Sequence, residues 1–195
     1  MIKNYEGQKA EKTVQTGKLP AGGYVAKIVN AKVEEYQWGS VVVIAFDIAE
    51  GDFKGFFKKQ FSDNPNEDKK WKGTYRLTVP EEGSKFFEGN RRTFNNFIYA
   101  MEDSNPNYHY DCDEKKFKDK LIGVIFRNRE WEMNGQSGWT TECGMVTDVS
   151  AIREGKFKPM KDKPLKGKVT TSAPLTNANS ADIVEDDGED EDLPF

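Results

Sequence analysis

The sequence predicts a mainly β domain: five strands with one helix between the third and fourth, preceded by a loose N-terminal segment (1–17) and followed by a disordered linker and acidic tail (158–195). Three observations carry this expectation. Over 18–157, β-branched and aromatic residues gather in short runs separated by Gly, Asn and Asp. One stretch alone has the apolar spacing of a helix face. Between Lys158 and Pro194 there is no Phe, Tyr or Trp, so that stretch buries too little apolar surface to offset about 1 to 2 kcal/mol of ordering entropy per residue.

The first strand opens at Gly22-Gly23 and runs from Tyr24 to Val33 with loose alternation. Gly39-Ser40 breaks the chain before Val41–Ile48, a run apolar enough to be buried on both faces. Glu50-Gly51-Asp52 reads as a hairpin connection, and Phe53 to Phe61 as the returning third strand, with Phe57, Lys59 and Phe61 on one side and Phe56, Lys58 and Gln60 on the other. The polar stretch Ser62 to Gly73, with Pro65 and Trp71, reads as a binding loop. Phe94, Phe97, Ile98 and Met101 follow at i, i+3, i+4 and i+7, one helix face, ended by Asn105-Pro106. Leu121 to Met133 is the fourth strand, Asn134-Gly135 a turn, and Gly138 to Val146 the fifth. This order fits an OB-fold, a small partly open five-stranded barrel that binds oligonucleotides and oligosaccharides.

The charge is divided. The net charge is −4, but residues 1–167 carry 28 basic against 25 acidic groups, and the remainder one Lys against eight acids. No apolar run approaches the ~18 to 20 residues that cross a bilayer, and the first residues lack a signal core. Two cysteines, Cys112 and Cys143, are too few for a disulfide framework. The expectation is a cytoplasmic protein with reduced thiols, without a membrane partner and without a cofactor.

Basic and aromatic residues interleave in three places. Arg127, Arg129, Trp131 and Met133 alternate along one face of the fourth strand, and Trp139 lies across the turn. Phe56, Phe57, Lys58 and Lys59 form a second group, and Trp71, Lys72, Tyr75, Arg76, Arg91 and Arg92 a third. Guanidinium and ammonium groups neutralise phosphates while aromatic faces stack on unpaired bases, so the pattern suits single-stranded nucleic acid, whose base faces a duplex hides. The competing reading is a solvated strand face with cross-strand cation–π pairs.

The chain ends Asp190-Glu191-Asp192-Leu193-Pro194-Phe195, an acidic run closed by apolar side chains and a carboxylate. Acids steer toward a basic site, Phe195 fills an apolar pocket and the terminal carboxylate pairs with Arg or Lys. This tip resembles the end of bacterial single-stranded DNA-binding proteins, and Trp71 to Val79, Arg91 to Phe97 and Gly123 to Trp139 look similar to phage and prophage proteins of low-GC Gram-positive bacteria. The resemblance implies an OB-fold domain that coats single-stranded DNA and a tail that recruits replication, recombination and repair proteins. The opposite charges of domain and tail also suggest that the tail competes with DNA for the groove. Oligomeric state is left open, a homo-oligomer included.

Enzymatic readings find less support. His109 is the only histidine and has no nucleophile motif beside it. A zinc site from His109, Cys112 and Cys143 lacks a fourth ligand and any Cys-x-x-Cys. Asp111 with Asp113, or Glu130 with Glu132, could hold Mg²⁺ for a nuclease, the alternative to a non-catalytic binder. An adaptor whose domain binds protein is a third reading.

Overall fold

The 15-residue strand Gly22–Tyr36 (β1) is long enough to serve two neighbours. Its first part, Gly22–Lys27, pairs with Leu121–Phe126 of the strand Leu121–Met133 (β4); its later part, Ala26–Tyr36, pairs with the strand Gly39–Ile48 (β2). Between Ile28 and Asn30 the register slips by one residue, a bulge that bends β1 from one neighbour to the other. Thr74–Thr78 (β3) adds to β2 and Gln136–Thr147 (β5) adds to β4, giving one antiparallel sheet in the order β3-β2-β1-β4-β5. The computed structural model describes residues 17–165.

The helix Phe87–Ser104 (α2) connects β3 to β4. It buries Phe97, Ala100 and Met101 on the predicted face, where Phe97 meets Phe117 at 5.2 Å and stacks on Tyr75 at 6.4 Å. Asn105 closes it: the side-chain amide donates to the carbonyls of Met101 (2.7 Å) and Leu121 (2.8 Å), and its oxygen accepts the Leu121 N–H (2.9 Å), so the helix end is tied to the start of β4. Phe46, Ile28, Ile44, Leu77, Ile122 and Val124 complete the core. Among the described residues no helix is long and apolar enough to cross a membrane.

Three expectations are corrected. Phe53–Phe61 is not a strand: it is a turn leading into the helix Phe56–Asp63 (α1), and the third strand is Thr74–Thr78. The residues Phe53, Phe57 and Phe61 satisfy a helical i, i+4 spacing as well as strand alternation, and tertiary capping decides between them. Gly55 takes a left-handed conformation (φ 75°) that starts the helix. Asp47, from β2, then accepts the Phe57 N–H at 2.9 Å and the Lys58 N–H at 3.3 Å, supplying from across the fold the cap that the chain lacks locally. Asp47→Ala is expected to cost about 0.5 to 2 kcal/mol in urea unfolding, the range of a lost N-cap; an unchanged midpoint would show that α1 is held by its phenylalanines alone.

The second correction concerns closure. The sheet is not closed as a barrel: β3 and β5 are its two edges, with no ladder between them. Leu19, Phe57 and Phe126 are buried in the core cluster near this gap, and the Leu19 carbonyl accepts the Thr141 hydroxyl of β5 at 2.7 Å. Side chains fill the interior there instead of backbone pairing.

Part of the expected linker is also ordered. Beyond Phe126, β4 outruns β1 and its flank would be an open edge, a pairing liability. The segment after the short helix Val149–Arg153 (α3) covers it: Lys163 bridges in parallel to Arg129, donating to Asn128 O (2.8 Å) and accepting from Glu130 N–H (2.9 Å).

Candidate nucleic-acid interface

A cleft of about 670 Å³ lies between the edges β3 and β5. β3 contributes Thr74, Tyr75 and Arg76, α1 contributes Phe56, Phe57 and Gln60, and the β4–β5 side contributes Arg127, Arg129, Thr140, Thr141 and Glu142. Among the described residues, Lys18 and Lys72 complete a lining with five cations and one carboxylate. The pleat explains the arrangement, since Arg127 and Arg129 fall on one side of β4 and face Glu142 and Thr140 of β5 in register. The phenol of Tyr75 is pushed up to about 12 by burial, so it stays protonated and can act as a donor at the cleft wall.

Exposed aromatic rings adjoin the arginines of the cleft on two elements. Arg76 Nη2 lies 2.5 Å from the Tyr36 hydroxyl, with its guanidinium 5.7 Å over the ring, and Tyr36 stacks on Trp38 at 5.2 Å. These two rings sit at the β1–β2 turn, Trp38 being 47 % exposed. The β4–β5 hairpin carries Trp131, 37 % exposed, and Trp139, 44 % exposed. Trp131 lies against Gly138, its cross-strand partner; a Cβ there would come within 3.2 Å of the indole. Trp139 is opposite Glu130 and so takes the other face of the hairpin. The Trp131 row continues through Arg129 and Arg127, the Trp139 row through Thr141 and Cys143, and both rows reach the cleft.

Of the residues singled out by sequence, Phe56, Lys72, Tyr75, Arg76, Arg127 and Arg129 are brought together. Phe57 touches the cleft but is core, 5 % exposed, edge-on to Phe46 and stacked on Phe126 at 6.1 Å. Lys58 and Lys59 are exposed on α1 outside the lining. Trp71 is a latch: its indole N–H lies 2.9 Å from Phe46 O and 3.1 Å from Gly73 O, and its ring packs on Phe61. Arg91 pairs with Glu88 on α2, away from the cleft. The partner-binding residues Asp190, Glu191, Asp192, Leu193, Pro194 and Phe195 lie outside the described residues. Sequence reasoning missed Tyr36, Trp38 and Glu142; the one available signal was two aromatic residues flanking a turn with no apolar run to bury them.

The carboxylates offered for a metal site are used otherwise. Asp111 pairs with Lys116, and Glu130 accepts the Leu165 N–H at 3.1 Å. Among the described residues no three His, Cys, Asp or Glu side chains converge.

Glu34 completes the β1–β2 end. Its carboxyl is lowered to about 2, first by the hydrogen bond from Lys32, then by Tyr36, with Arg76 3.3 Å away. A carboxyl depressed in the folded protein contributes stability above its ordinary value of 4.5, and that contribution is lost as pH falls through about 2. An NMR titration of the Glu34 carboxyl should therefore have its midpoint far below 4.5; an ordinary midpoint would mean that the cluster at the turn does not persist in solution.

No protein-family model matches this chain and no curated protein matches it, so the geometry of the cleft and the resemblance of the chain's terminal residues carry its functional reading.

Proposed function

We propose that the protein is a non-catalytic single-stranded DNA-binding protein of phage type, which coats and protects exposed strands during replication and recombination in the host cytoplasm. The carrying observation is the cleft, lined among the described residues by five cations and one carboxylate, with exposed aromatic rings adjoining its arginines: Tyr36 and Trp38 beside Arg76, and Trp131 in the row of Arg127 and Arg129. Phosphates of a strand crossing it would meet Arg76, Arg127, Arg129 and Lys72, and bases turned outward would stack on Trp38, Tyr36 and Trp131. The sheet order supports an OB-like reading, because β3-β2-β1-β4-β5 would close on itself if β3 met β5, and α2 lies between the third and fourth strands. Residues 190–195 recruit replication and recombination proteins in this reading, on the resemblance of the tip.

The test is a titration with a mixed-sequence single strand and with its duplex at two salt concentrations, following tryptophan fluorescence. Quenching by the single strand alone, weakened by salt, supports the proposal. Absence of binding to either would overturn it, and Mg²⁺-dependent loss of the oligonucleotide would favour a nuclease.

A further inference from the structure

Among the described residues, the one carboxylate that lines the cleft is held by two of its arginines. Glu142 is opposite Arg127 in the β4–β5 ladder, and its Oε1 lies 3.0 Å from Arg127 Nε and 2.9 Å from Nη2. Its Oε2 lies 3.5 Å from Arg129 Nη1. The Arg127 and Glu142 side chains are only 22 % and 25 % exposed, so the pair sits inside the cleft wall. The Nε and Nη2 donors that grip this carboxylate are the fork with which arginine grips a phosphate, and an anion in the same place must compete for the same protons.

We propose that Glu142 is a built-in competitor for the DNA backbone: it holds Arg127 and Arg129 in position in the free protein and is displaced by a phosphate when a strand enters. This rests on the single-strand reading and names the groups that meet the backbone. Free of ligand, the carboxylate spares the cleft two unpaired guanidinium groups that would otherwise repel each other. On binding, the ion pair must open, and the released carboxylate stands near an incoming negative charge. Both effects lower the affinity below what the arginines could supply, and both vanish when the carboxylate becomes an amide.

The test compares wild type with Glu142→Gln, which keeps shape and removes charge, by anisotropy of a labelled oligothymidylate at low and at physiological salt. Glu142→Gln should bind about tenfold tighter at low salt, with the gain shrinking as salt rises. Equal or weaker binding by Glu142→Gln, with wild type binding normally, overturns the inference and leaves the single-strand reading standing. No binding by either overturns both. A measurement on wild type serves if the variant does not fold: the Arg127 Nε–H resonance should shift as oligothymidylate saturates the protein, and a resonance that stays put at saturation overturns the inference.

Discussion

Trp38→Ala and Trp131→Ala together are expected to weaken binding of oligothymidylate by at least about 30-fold while leaving the fold intact. The two indoles stand beside different arginines of the cleft, one stacked on Tyr36 next to Arg76 and one lying on Gly138 in the row of Arg129, and both are substantially exposed. Stacking on a base is worth about 1 to 3 kcal/mol per aromatic ring, and two independent stacks combine to at least about 2 kcal/mol. Their removal takes little from the core, so the unfolding free energy should change by no more than roughly 0.5 kcal/mol per site. Salt dependence should hardly change, since no cation is lost. The single variants divide the effect: if Trp131→Ala weakens binding and Trp38→Ala does not, the strand uses the β4–β5 end alone. If the double variant binds as tightly as wild type, the cleft is not where bases stack.

Phe97→Ala carries the largest expected effect on stability, a loss of about 3 to 5 kcal/mol, read as a fall in Tm of roughly 6 to 20 °C. Phe97 is fully buried, packs on Phe117, and is the ring through which α2 supports Tyr75. No neighbouring side chain can move into the vacated volume without abandoning its own contacts, so transfer and cavity costs add. Tyr75 also loses the stack that fixes the β3 wall of the cleft, so DNA affinity should fall even at temperatures where the variant is folded. A fall in Tm of only a degree or two would mean that α2 can settle onto the sheet without this ring.

What the sequence made legible followed its periodicity. β4 is written as an apolar run that turns to alternation, and it begins and ends where expected, at Leu121 and Met133. The buried face of α2 is written as Phe94, Phe97, Ile98 and Met101, though the helix itself starts seven residues earlier, at Phe87. α1 was illegible because Phe53–Phe61 satisfies two periods at once and its deciding cap, Asp47, comes from another element. β3 was hidden for a different reason: five residues are too short to display alternation, and only pairing with Val41–Ala45 defines them. The cleft has the same character. Tyr75 and Glu142 are far apart in sequence and line one cleft only because the sheet brings its two edges to it, while Glu142 finds Arg127 through a register that a sequence does not state. The arginines could be read from composition and alternation; their carboxylate partner could not.

The strap along β4 has a mechanical meaning. Because Lys163 pairs with Arg129 in parallel, the chain at 163–165 runs toward the tip of the β4–β5 hairpin. Among the contacts that fasten it there are Lys163 N–H to Asn128 O, Glu130 N–H to Lys163 O, and Leu165 N–H to the Glu130 carboxylate. A pull applied beyond Leu165 along the strand direction loads these bonds together, in shear, as a glued lap joint is loaded. The same pull applied across the strand opens them one after another, from Leu165 inward, as tape peels. The hairpin that bears Trp131 is strained in the first case and spared in the second.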